Sequence, residues 1–171
     1  MIRTERLCIR RICIDDWKAI QKIWADEADS IYAEYDKPND LDDQAVFQRI
    51  TKWVSFADGD EHIFYAVDLR DTMIGYIALN QTEDGYELGY CFHSNYHGEG
   101  FAKESISRVL QELEKNDSLR ITAGTALKNT PSVRLLLSLG FIQTGTEKVS
   151  FYKGPEGKDI VFDGGIFELL I

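Results

Sequence analysis

Gly98 and Gly100 stand one residue apart, just ahead of a stretch whose apolar residues Ala102, Ile106, Val109, Leu110 and Leu113 recur at helical spacing. Glycine lets a backbone turn tightly and come close to a ligand. A helix N-terminus adds unpaired N–H groups and a partial positive charge. Together these make an anion site of the kind that holds a pyrophosphate, although the same glycines also suit a turn that binds nothing. Two nucleotide-binding alternatives fail on the residues. A Walker loop needs GxxxxGK followed by Ser or Thr, and Lys103 follows Ala102 rather than glycine. A dinucleotide fingerprint needs a third glycine where Lys103 stands, and it belongs in an early strand–helix–strand unit, whereas antiparallel hairpins come first here.

A second feature is the run from Asp26 to Asp43. It carries Asp26, Glu27, Asp29, Glu34, Asp36, Asp40, Asp42 and Asp43 against the single cation Lys37. Such a run draws in a cationic partner if it borders a site, and otherwise reads as helix caps and solvated surface. Cys8, Cys13 and Cys91 form no CxxC pair, and His62, His93 and His97 lack zinc-ligand spacing, so no metal is expected. The net charge of −10 argues against nucleic-acid binding. No apolar run reaches the ~20 residues that span a bilayer. The opening Met1-Ile2-Arg3-Thr4-Glu5-Arg6 leads into no signal core, so a cytoplasmic protein with no membrane partner is expected.

The elements that must position these residues follow from periodicity. A strand at Leu7–Ile12 precedes a helix with Trp17, Ile20, Ile23 and Trp24 on one stripe. After the acidic connector, Val46, Ile50, Trp53, Val54 and Ala57 mark a second helix, which Gly59 closes. Ile63–Leu69, Met73–Leu79 and Tyr86–Phe92 read as three antiparallel strands, the last entered through an Asp84-Gly85 turn. The loop His93–Gly100, the helix that follows and a strand at Leu119–Thr125 imply a parallel crossover. A short helix with Thr130 as cap, Pro131 at its first position and Gly140 past its end leads to closing strands at Phe141–Tyr152 and Ile160–Leu169. The sum is a single domain over residues 1–171: a mixed α/β (α+β) fold with one mostly antiparallel sheet, a central parallel strand–helix–strand splay and helices on both faces.

Three motifs in order carry a resemblance. The segment Tyr86–Ala102 reads YELGYCFHSNYHGEGFA, with Glu87-Leu88-Gly89-Tyr90 ahead of His97-Gly98-Glu99-Gly100-Phe101-Ala102; downstream come Asn129-Thr130-Pro131-Ser132 and Leu139-Gly140-Phe141. The chain resembles the GNAT superfamily of N-acetyltransferases, in the branch of the RimJ and RimL ribosomal-protein acetyltransferases, over nearly its whole length. That signature has Gln or Arg first, then x-x-G-x, then Gly or Ala. Here His97 takes the first position, and Glu99 adds a negative charge inside the loop.

The resemblance implies acetyl-CoA as cosubstrate, an amine acceptor as second partner, and direct transfer in a ternary complex. It implies that Tyr90, Cys91 and Phe92 pair through their main chain with the pantetheine arm, and that residues 97–102 (His97, Gly98, Glu99, Gly100, Phe101, Ala102) hold the pyrophosphate. Gly89 would open the wedge with a bulge, and the amide near Tyr90 would face the thioester oxygen. Glu87 matches the branch's strand glutamate and is the candidate base, though it also reads as a plain solvent-facing carboxylate. Asn129 matches a pantetheine-contacting Asn. The superfamily's tyrosine acid would fall at Leu136, so Ser132 or Tyr152 is left to protonate the thiolate; Ser132 thus counts both as catalytic and as cofactor-binding. Lys128 and Arg134 suit CoA phosphates or open solvent equally. A catalytically weak acyl-CoA-binding sensor is the alternative function. The acceptor's identity, a protein N-terminus or a small cationic amine, and a homodimer both stay open.

Overall fold

The computed structural model describes residues 1–56, 59–114 and 119–171. The chain opens with the short strands β1 (Ile2–Arg3) and β2 (Leu7–Arg11), then helix α1 (Trp17–Ala28), a connector, and helix α2 (Asp43–Ser55). Strands β3 (His62–Leu69), β4 (Thr72–Gln81) and β5 (Gly85–Phe92) follow, then helix α3 (Phe101–Leu113), strand β6 (Arg120–Ala126), helix α4 (Thr130–Ser138), and strands β7 (Ile142–Lys153) and β8 (Asp159–Leu170). They form one eight-stranded sheet in the order β1-β2-β3-β4-β5-β6-β8-β7. Every neighbouring pair is antiparallel except β5 and β6.

Alternation along the strands builds a core on each face. On β3, Ile63 and Val67 join the core under α3 and α4, with Ile106, Val109, Leu110 and Leu136. Ala66 points the other way, into a second core with Ile20 and Trp24 of α1 and Val46 and Ile50 of α2. Each large side chain buried in this way contributes about 1.5–3 kcal/mol. Helices therefore cover both faces, as the expected fold class requires. Among the described residues, no helix is long and apolar enough to cross a membrane.

Two details differ from the sequence reading, and a third bears out one reading of the acidic run. The two-residue β1 is too short to show a period. Asn129, not Thr130, caps α4: its side-chain oxygen accepts from the Ser132 N–H at 3.3 Å, and Thr130 is already helical. Pro131 has no N–H to offer, so the Ser132 N–H is the one a capping side chain reaches. Asp42 accepts from the N–H groups of Gln44 and Ala45, so part of the acidic run is a cap for α2. Ala57, expected on the α2 stripe, lies outside the described residues.

Candidate active site

β5 and β6 stay paired for only three residues, Gly85↔Arg120, Tyr86↔Ile121 and Glu87↔Thr122. The approach at the first pair is tight enough that a Cβ on Gly85 would meet the Arg120 carbonyl oxygen at 1.9 Å. Beyond Glu87 the strands part: β5 continues against β4, and β6 against β8. Leu88 to Phe92 therefore turn a backbone edge without a strand partner toward a wedge. No bulge opens it, since the β4–β5 register runs unbroken through Ala78↔Gly89. The departure of β6 toward β8 makes the gap, and this corrects the role expected of Gly89.

At the mouth of the wedge the chain turns through Ser94–Tyr96 into the glycine loop. Gly98 and Gly100 have φ of 78° and 80°, a left-handed backbone that glycine adopts without cost. Gly100 is the α3 cap and offers no side chain, which leaves the N–H groups of the first turn facing outward. Arg6 bonds the Glu99 carbonyl at 3.0 Å and pairs with Glu104 at 2.6 Å. From α1, Asp26 accepts from the Ser94 N–H at 2.7 Å and the Ser94 hydroxyl at 2.6 Å. The loop is thus anchored on two sides, and among the described residues nothing accepts from the N–H groups of residues 98–103. The His97 ring lies 2.7 Å from the Phe92 carbonyl oxygen, so one of the polar groups expected to pair with pantetheine is already engaged.

The wedge floor brings together residues that sequence places far apart. The Tyr90 hydroxyl sits 2.8 Å from that of Ser132. Burial pushes the Tyr90 phenol up to about 12, opposed by the Ser132 bond and aided by Asp36, so it stays protonated. Asn129 commits its side-chain oxygen to the Ser132 N–H in the α4 cap. Leu136, where the tyrosine acid would fall, is fully buried in the core and offers no polar group. Lys128 and Arg134 are exposed. Glu87 is exposed at the apex, on the sheet face opposite Leu88 and Tyr90 and four residues from Cys91.

One residue was missed as a site candidate. Glu27 lies on α1 three residues past buried Trp24 and accepts from the Asn39 side-chain amide at 3.4 Å; Trp24 donates to the Tyr76 hydroxyl at 3.0 Å, and Tyr76 pairs with Cys91 on β5. Burial, Asp36 and Asp26 push the Glu27 carboxyl up, the Cys91 thiol opposes them, and it comes to about 7. Behind it opens a narrow cleft of about 80 Å³, lined by Trp24, Ala28, Asp36, Pro38, Asn39 and Tyr152 among others. Its outer wall is the connector, which packs through Tyr35 on Phe162, with ring centroids 5.1 Å apart. The signal for Glu27 was present as an i, i+3 pairing with Trp24 on an inward helix face. Among the described residues no His, Cys, Asp and Glu cluster suits a metal.

The uncharacterized N-acetyltransferase YnaD of Bacillus subtilis is 31% identical over 163 residues, covering 92% of each chain. The crystal structure of the ribosomal-protein-S5-alanine acetyltransferase from Vibrio fischeri superposes with a TM-score of 0.81 at 17% identity, covering 98% of this chain and 94% of that one. The RimL ribosomal L7/L12 acetyltransferase in complex with coenzyme A gives 0.81 at 14% identity, covering 98% and 96%. These two establish the fold. The match of residues 6–142 to the acetyltransferase (GNAT) domain spans both sides of the wedge, so this chain belongs to the GNAT acetyltransferase family.

Proposed function

We propose that this chain moves the acetyl group of acetyl-CoA onto a primary amine within a direct ternary complex. The observation that carries the reading is the wedge itself: an unpaired strand edge at Leu88–Phe92 that runs into a glycine loop with free helix amides. An extended pantetheine arm adds to such an edge as a strand would, and a pyrophosphate ends on the amides. Tyr90 and Cys91 supply the main-chain contacts, with Phe92 contributing less because its carbonyl holds His97. The Tyr90 amide faces the thioester oxygen and stabilises its developing charge. Ser132, backed by the Tyr90 hydroxyl, protonates the departing thiolate. Glu87, open to solvent at the apex, receives the proton shed by the amine through water.

The rival reading, a sensor that binds acyl-CoA without turnover, gains nothing from this site, where proton donors and acceptors already flank the reacting atoms. Calorimetry with acetyl-CoA and thiol release over a panel of amines test the proposal together. Gly100→Val forces a β-branched residue into a left-handed backbone and is expected to weaken acetyl-CoA binding at least tenfold. A folded variant with unchanged affinity would remove the loop from the site.

A further inference from the structure

We propose that Glu27 takes the proton from the acceptor amine, and that the acceptor enters as a slim, positively charged alkylamine through the cleft behind it. This rests on the acetyl-transfer reading and deepens it. Position is the first argument. Glu27 lines the cleft beside Trp24, and Trp24 donates to the hydroxyl of Tyr76, the β4 partner of Cys91, so this wall of the cleft is carried on the strand pair that ends in the unpaired stretch of β5. Cys91 follows Tyr90, the residue whose amide meets the thioester in that reading. A nitrogen held at Glu27 therefore faces the acetyl carbon.

Size is the second argument. A cleft of about 80 Å³ is small, and its walls of Trp24, Pro38 and Tyr152 favour an unbranched aminomethyl or aminoethyl end over one branched beside the nitrogen.

The surroundings are the third argument. Asp26 faces Glu27 from its own helix, and Asp36 and Lys37 from the connector. Tyr76 on β4, Cys91 on β5 and Tyr152 on β7 face it from the sheet, and Arg49 on α2 donates to Asn39, whose amide bonds Glu27. Burial pushes the Tyr76 phenol and the Cys91 thiol well above their ordinary values, so both stay neutral. Asp36, also pushed up by burial, provides the second carboxylate for an ammonium. The carboxyl of Glu27, at about 7, is the one that exchanges a proton near neutrality, where a general base works best.

The step balances as follows. The ammonium gives one proton to Glu27, and the neutral nitrogen bonds the acetyl carbon. The C–S bond breaks with its electron pair on sulfur. The second excess proton of nitrogen ends on the thiolate. Glu27 then releases its proton to solvent, from which the exposed Glu87 takes it up. Four residues of strand, about 13 Å, separate Cys91 from Glu87, with only the bare Gly89 between them on that face.

Glu27→Gln and Glu87→Gln, assayed by thiol release at saturating acetyl-CoA, test this. Unbranched amines, α-branched amines and one amine already neutral at the assay pH make up the panel. With an unbranched ammonium, Glu27→Gln is expected to lower kcat by about 10²–10⁴ and to flatten the rise of kcat/KM through neutral pH. Acetyl-CoA affinity by calorimetry stays unchanged, the neutral amine loses far less, and Glu87→Gln loses less than Glu27→Gln. Should the Gln variant fail to fold, Glu27→Asp takes its place: the withdrawn carboxylate lowers kcat and keeps the pH dependence. Wild-type kcat and pH profile in whichever variant folds would overturn the inference and leave acetyl transfer standing, as would a preference for α-branched amines. A wild-type protein that binds acetyl-CoA and turns over no amine overturns both.

Discussion

A phenol held 2.8 Å from a serine hydroxyl at the bottom of a cleft is a proton donor with a fixed address. Removing the serine leaves Tyr90 without that partner and, on the proposed reading, takes away the acid that serves the thiolate. Ser132→Ala is expected to lower kcat about 10²-fold with little change in acetyl-CoA affinity, read by steady-state kinetics beside calorimetry. The loss shrinks for a thioester whose thiol leaves more easily. Tyr90 and Ser132 were each legible in the sequence through their motifs, but their meeting across 42 positions was not, because it depends on where α4 lands. Glu27 shows the opposite failure. Counted among eight acidic neighbours, it looked like part of a charged surface, and only the burial of Trp24 three residues earlier separates it from Glu34 or Asp40.

Strand and helix types follow hydrophobic period well in this chain, while the junctions between them do not. Nothing in the composition of β5 or β6 says that their pairing ends after Glu87; that is a long-range competition, which β8 wins for the edge of β6. The α4 cap was misplaced by one residue because Asn129 and Thr130 are both good capping types, and the fixed backbone of Pro131 alone does not choose between them. Asn129→Ala is expected to cost about 0.5–2 kcal/mol in chemical denaturation. It also loosens Ser132 and lowers kcat, while Thr130→Ala is nearly silent in both measurements. Helix α1 breaks a local preference of its own. Its last turn holds Asp26 and Glu27 and no basic residue, against the sign of the helix dipole. Both carboxylates have partners away from the helix, Ser94 and Asn39.

Across the whole molecule, one arginine joins the sheet to the start of α1. Arg10 donates to Asp16 at 2.7 Å from two nitrogens and to Asp68 at 2.8 Å. Burial acts to raise the Asp16 carboxyl, but Arg10 and the Cys13 N–H outweigh it and hold it below its ordinary value. A carboxyl so lowered adds stability above its unfolded value of about 3.9, and that stability is lost as pH falls through the lower folded value. Arg10→Ala is expected to cost about 3 kcal/mol at neutral pH, because Asp16 is left nearly buried and unpaired. In thermal melts the gap to wild type narrows below about pH 4. The adjacency of Asp26 and Glu27 works at the same scale. One is bound to Ser94, just ahead of the glycine loop, the other lines the cleft, and both sit on one helix. On the proposed reading, a shift of α1 that follows the loop reaches the cleft as well, and the coupling that results is reciprocal between amine and cosubstrate.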